Sequence, residues 1–204
     1  MTQSLDTIDT VEQLNALLGP VSDISIRKEL PRIVSAYRAM IEASPFAILA
    51  TSGPGGLDAS PRGDAPGFVV VEDEQTLLLP ERRGNNRADS LRNLIADPRM
   101  ALLFLIPGVG ETLRVNGHAK ISVAPDLLAR FVVREQMPKC VLVITVETAY
   151  YQCSRAIVRS QLWTAPPAAG VPSAGQINAQ ITGGAIDATE FDRLQPARIQ
   201  ATLY

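Results

Sequence analysis

The apolar positions along this chain change period near Phe46. Before it they recur at helical spacing. Leu14, Leu17 and Leu18 follow Thr10 and Gln13, which have capping-box spacing, and Gly19-Pro20 supplies a stop. A second helix is predicted with Pro31 in its first turn and Ile33, Val34, Tyr37, Met40 and Ile41 along one side. From Phe46 the pattern is that of strands. Phe46 to Ser52 reads as one strand, and Gly53-Pro54-Gly55-Gly56 as a tight connection to another near Leu57 to Ser60. Phe68 to Glu72 and Thr76 to Leu79 read as a hairpin around Asp73-Glu74-Gln75.

An amphipathic helix carrying Leu91, Leu94 and Ile95 follows, and Asp97-Pro98 breaks it. Met100 to Ile106 is a continuous apolar run, expected as a strand covered on both faces. After the turn at Pro107 to Gly110, Leu113, Val115, Gly117, Ala119 and Ile121 alternate with Arg114, Asn116, His118 and Lys120. A helix with Leu127, Leu128 and Phe131 precedes a strand from Cys140 to Glu147. About six strands at hairpin-like spacing predict a mainly β fold with flanking helices (α+β), a small, partly closed antiparallel barrel. The expected organisation is a helical lead over 1–45, the barrel over 46–163 and a C-terminal arm over 164–204. Leu162 to Gly175, rich in Pro, Ala and Gly, reads as a linker or surface arm, and Asn178 to Tyr204 as a short helix and an extended end.

Composition narrows the function. With 19 basic and 21 acidic residues the net charge is −2, which argues against broad electrostatic binding to nucleic acid or an anionic membrane. Any cationic site must be local. Met1 to Leu18 lacks the continuous apolar stretch of a secretory signal, and the apolar runs are too short to span a bilayer, so a cytoplasmic protein is expected. Cys140 and Cys153 lack CxxC spacing and His118 is the single histidine, so no zinc site is expected. A disulfide between the two cysteines is possible, but nothing calls for one.

The local cationic site is the stretch LLLPERRGNNRADSLRNL, residues 77–94. A strand runs into a loop with Arg82, Arg83 and Arg87, and a helix starts after it. Asn86 is the expected N-cap, answered by Asp89 in a capping-box variant. Free N–H groups of the first turn, with Ser90 and the guanidinium groups, suit a phosphate. A solvated arginine loop is the bland alternative.

Ser60 to Gly67 places Arg62 and Asp64 among two prolines and two glycines. It reads either as a rigid turn with an internal Arg–Asp pair or as an anion contact plus an acceptor for ring N–H groups. Glu111 and Thr112, after the glycine turn, could face a neighbouring site, although the glycines match no nucleotide motif. Trp163 is either a plug at the barrel end or a ring at the edge of an aromatic cofactor, with Arg159 beside it. His118, on the polar side of its strand, has little weight as a general base. Ser154 has no triad partners in view, and no catalytic acid or base is assigned.

The segments FAILATSGPGGLDASPRGD, LLLPERRGNNRADSLRNLIADPRMALLFLIPG, GETLRVNGHAKI and CSRAIVRSQLW resemble the flavin-binding proteins related to pyridoxamine 5′-phosphate oxidase, over Phe46 to Trp163. The resemblance implies a split β-barrel homodimer with FMN at the subunit interface. It implies that Arg82, Arg83, Arg87 and Ser90 hold the FMN phosphate and that Arg62 and Asp64 lie along the phosphate and ring. Glu111 and Thr112, where the family often has Arg-Gln, would approach from the partner. Arg193-Leu194-Gln195-Pro196 echoes the oxidase C-terminal ending, without its tryptophan and with more chain following. Pyridoxamine phosphate is therefore not the expected substrate. The expectation is an FMN-dependent oxidoreductase acting on an unidentified small molecule, with a non-catalytic FMN carrier or sensor as the alternative. Similar barrels bind FAD, deazaflavin or haem, the last least suited to one histidine.

Overall fold

Leu30 to Val34 is tied to the sheet at Leu30 and to the Glu74 turn at Ile33, with a bend between, and this decides where the N-terminal helices stop and start. A computed structural model describes residues 7–204. In it α1 (Val11–Leu18) begins on the expected capping box, Thr10 accepting from the Gln13 N–H and Gln13 reaching back to the Thr10 N–H. A one-turn α2 (Asp23–Arg27) was not expected. Pro31 lies outside any helix, because Leu30 bridges to Ala149 and the Ile33 N–H donates to the Glu74 carbonyl at 2.7 Å. The backbone groups a helix would use are already taken. α3 (Ser35–Ala43) therefore starts later and buries Tyr37 and Ile41 in the core.

β1 (Phe46–Gly53) and β2 (Gly56–Gly63) form a hairpin across the glycine turn. β2 reaches past the expected Ser60 and takes Pro61 and Arg62 into the strand. Proline is tolerated there because β2 is an edge. β3 (Val70–Val71) pairs with β4 (Thr76–Glu81), and α4 (Asp89–Ala96) leads to β5 (Arg99–Leu105). β6 (Thr112–Ser122) buries Leu113, Val115 and Ala119 on one face, as its alternation predicts. α5 (Pro125–Ala129) follows, and β7 (Cys140–Gln152) runs beyond the expected Glu147 to pair with the whole of β6. α6 (Arg155–Ser160), α7 (Ala174–Ile181) and α8 (Ala188–Ala201) complete the chain.

The seven strands form one antiparallel sheet, in the order β2-β1-β5-β6-β7-β4-β3. It is a split barrel. Its interior is filled by Leu49, Leu77, Leu79, Leu102, Phe104, Leu113, Leu142 and Ile144, all fully buried. The register shifts between Asn116 and Gly117, where a Cβ on Gly117 would stand 2.0 Å from the Thr145 carbonyl oxygen. Only glycine fits that close approach. The curl brings β2 against β4, and side chains span the seam: Arg62 Nε meets Glu81 Oε2 at 3.0 Å.

The C-terminal arm is more ordered than its composition suggests. α7 and α8 pair closely at Gly175, where a Cβ would meet the Ala188 carbonyl at 2.2 Å. Asp192 of α8 takes the Gly175 N–H at 2.7 Å and the Ser173 hydroxyl, tying the start of α7. Cys140 is buried and Cys153 exposed, both as free thiols. Among the described residues no helix is long and apolar enough to cross a membrane, and no cluster of His, Cys, Asp or Glu could hold a metal ion.

Candidate functional site

β4 delivers Arg82 and Arg83 directly from its end, and Asn85 to Ala88 then folds back to start α4. The helix begins at Asp89 with Ala88 in the capping position, φ 55, and no side-chain cap. Asn86 is therefore not the N-cap. Its backbone is left-handed, φ 60, and its Oδ1 accepts from Lys139 Nζ at 2.8 Å, which turns it away from the helix. Asp89 pairs with the Arg87 guanidinium instead of answering Asn86. What holds α4 in place is a buried contact farther along. Asn93 donates to the Thr51 hydroxyl of β1 at 3.2 Å, in a space that the absent side chain of Gly53 leaves open.

A cavity of about 380 Å³ opens between the barrel seam and the start of α4. Arg62, Glu81, Arg82, Arg83, Arg87 and Ser90 line it. Arg62 is held by Glu81, so the internal Arg62–Asp64 pair of the rigid-turn alternative is not formed. Asp64 binds Arg82 instead, at 2.7 Å, with side chains 5% and 16% exposed respectively. Arg82 also donates to the Phe131 carbonyl at 2.6 Å. Ser90 is buried and donates to Asp58. Among the described residues Arg83 has no carboxylate or hydrogen-bond partner. Burial pushes the Asp64 carboxyl up, but hydrogen bonds from Tyr204, the Ala65 N–H and Arg82 outweigh it and hold it below the usual carboxylate range. The Tyr204 hydroxyl reaches Asp64 Oδ1 at 2.8 Å, and that contact raises the tyrosine's own pKa.

The other anticipated residues lie elsewhere. Glu111 is exposed, and Thr112 donates to Gln152 Oε1 at 3.3 Å where β6 meets β7. Trp163 Nε1 donates to the Val109 carbonyl at 2.7 Å, pinning the segment after α6 to the glycine turn, and Arg159 is exposed on α6. None of these four lines the cavity. Sequence reasoning missed Glu81, Asp58, Lys139 and Tyr204. Glu81 was visible as an acid ending a strand beside two arginines. Tyr204 carried no local signal, since it arrives from 140 positions beyond Asp64.

A family model described as pyridoxamine 5′-phosphate oxidase matches residues 33–153. The chain belongs to that family. The match runs from just before α3 through β7, so the arginine cavity falls within it and the C-terminal helices do not. Among solved structures, HupZ from Group A Streptococcus is 19% identical with a TM-score of 0.50, over 60% of this chain and 95% of that one. A protein from Clostridium acetobutylicum related to general stress protein 26, of the pyridoxinephosphate oxidase family, is 14% identical with a TM-score of 0.44, over 56% and 84%. At such identities the likeness concerns the fold. No curated protein matches the chain.

Proposed function

We propose that the cavity holds FMN and that the protein is an FMN-dependent oxidoreductase acting on a small molecule other than pyridoxamine phosphate. The observation that carries this reading is the seam cavity itself, with Arg83 uncommitted beside Arg87 and the first turn of α4. The donors suit a phosphate. Two guanidinium groups, one of them unpaired among the described residues, stand next to the first helix N–H groups, while the Ser90 hydroxyl is already committed to Asp58. Arg62 and Arg82 are committed to Glu81 and Asp64, so they shape the wall and set its field.

When bound, FMN supplies the redox chemistry. The chain's own residues then neutralise the phosphate, through Arg83 and Arg87, and keep the site rigid through the seam ion pairs. A homodimer completes the proposal: a second copy would bring Glu111, Thr112, Arg159 and Trp163 toward the cavity that their own chain does not approach. Apolar side chains left open in one copy support such a partner, with Val11, Leu17, Leu18 and Val21 of the N-terminal segment all exposed.

A second reading, an FMN carrier or sensor without turnover, draws support from Tyr204 of the C-terminal arm, which lies against Arg82, a residue of the cavity wall, and Asp64. Anaerobic mixing of the FMN-loaded protein with NADH or NADPH separates the two. Bleaching of the flavin absorbance supports the oxidoreductase; a flavin that either reductant leaves oxidised supports the carrier.

A further inference from the structure

Residues 166–204 are held together mainly from within. α7 and α8 pack chiefly on each other, through the close approach at Gly175 and the Asp192 bonds to Ser173 and Gly175. Among the described residues, one hydrogen bond joins this segment to the rest of the chain: the Tyr204 hydroxyl donates to Asp64 Oδ1 at 2.8 Å. The helical pair is thus a strap with a single polar fastening. That fastening falls on the buried Asp64–Arg82 pair, and Arg82 lines the seam cavity.

Both halves of the fastening are built by the fold. Asp64 takes Tyr204 and the Ala65 N–H on Oδ1, and Arg82 Nε on Oδ2. The Tyr204 ring has the Arg82 and Arg134 guanidinium groups 5.6 and 5.2 Å from its centroid, within the range of cation–π attraction. Arg134 forms no ion pair among the described residues. It is delivered by a tight turn that Val133 and Gln136 close with two backbone hydrogen bonds, of 3.0 and 2.9 Å. The two central residues, Arg134 and Glu135, are left-handed at φ 48 and 63, where such a turn favours Asn-Gly. Strain of this kind persists where the surroundings over-determine it, and the Tyr204 ring is what Arg134 meets.

We infer that Tyr204 is a positioning residue for the flavin site: it fixes Arg82 in the cavity wall and so couples the α7–α8 strap to FMN. Arg82 spends Nε on Asp64 and Nη1 on the Phe131 carbonyl, and its Nη2 donors are uncommitted among the described residues. Held by a carboxylate, a carbonyl and a ring, it keeps those donors in one orientation, and preorganisation of this kind tightens binding. The coupling is reciprocal. A fastened strap favours FMN, and bound FMN favours the fastened strap by the same factor. The coupling rests on the flavin reading; the fastening does not.

Fluorine NMR of the protein carrying 3-fluorotyrosine reads the fastening, and fluorescence titration with FMN reads the coupling. Both are made on wild type, Tyr204→Phe, Arg134→Gln and Arg134→Lys. Arg134 is exposed and does not line the seam cavity, so its effect on FMN reports through Tyr204. The Tyr204 resonance, identified by its loss in Tyr204→Phe, should lie away from its position in urea and move toward it in Arg134→Gln. FMN should bind about fivefold more weakly to Tyr204→Phe and to Arg134→Gln, the order of an ordinary coupling between sites. Arg134→Lys, which keeps the cation, should restore affinity, and FMN added to Arg134→Gln should return the resonance toward its wild-type position. Unchanged FMN affinity in both weakened variants overturns the coupling, and a wild-type resonance at its urea position overturns the fastening. A wild type that binds no FMN, while its Tyr204 resonance still answers to Arg134, upholds the fastening and overturns the coupling together with the flavin reading.

Discussion

Arg62 of β2 and Glu81 of β4 meet at 3.0 Å although their strands share no ladder. The pair sits on the barrel's open seam and is mostly buried, with side chains 14% and 21% exposed. It does what backbone hydrogen bonds do elsewhere in the sheet. Removing one partner strands a guanidinium in a poorly solvated place. Glu81→Gln should lower stability by about 1.5–3 kcal/mol, the range for hydrogen bonds to charged groups. A reduced urea midpoint at unchanged slope is the expected observation; an unaltered midpoint would show that the seam needs no such clasp.

Asp64 gives the fold a pH dependence. Its pKa is lowered on folding, so the folded chain binds fewer protons there than the unfolded one. The associated stability is present above the ordinary carboxylate range and is lost as pH falls through the lowered folded value. Asp64→Asn should therefore be destabilised relative to wild type at neutral pH, and the gap should narrow below about pH 4, where unfolded aspartates protonate. Parallel urea midpoints from pH 7 to 3 measure it. A gap that stays constant would mean that Asp64 acts through shape and not through charge.

Asn93 ties α4 to β1 beyond the helix's first turn and does not line the seam cavity. Asn93→Ala leaves the buried Thr51 hydroxyl without its side-chain donor, a loss of about 1–3 kcal/mol. Because the same contact anchors α4 as a whole, FMN retention should fall in the folded variant. Full retention in a destabilised variant would separate packing from binding at this position.

Arg83 and His118 make a contrasting pair. Arg83→Ala should weaken FMN binding by about 1.5–3 kcal/mol, since it removes a charged donor. His118 is engaged with Glu147 at 3.0 Å and does not line the cavity, so His118→Ala should leave flavin affinity unchanged. Fluorescence titration of FMN on both variants checks the contrast, and equal losses would contradict the assignment.

The sequence made the barrel legible wherever burial imposes a period. The alternation in β6, the apolar run of β5 and the Thr10–Gln13 cap all appear where the pattern placed them. It failed where long-range partners override local preference. Pro31 looks like a helix start, but Leu30 and Ile33 are claimed by Ala149 and Glu74. Asn86 looks like an N-cap, but Lys139 holds it. The arginine cluster was visible as composition, yet its pairing was not: Arg62 with Glu81 and Arg82 with Asp64 depend on how far the sheet curls. Tyr204 could not be found at all, because only the fold brings it to Asp64.

The most direct test of the central claim is a visible absorption spectrum of the protein after mixing with FMN and passage through a gel-filtration column. Flavin bands co-eluting at close to one FMN per chain, and reduced in Arg83→Ala, are the predicted result. Protein emerging without flavin, from a folded and intact chain, would contradict the assignment of the seam cavity as an FMN site.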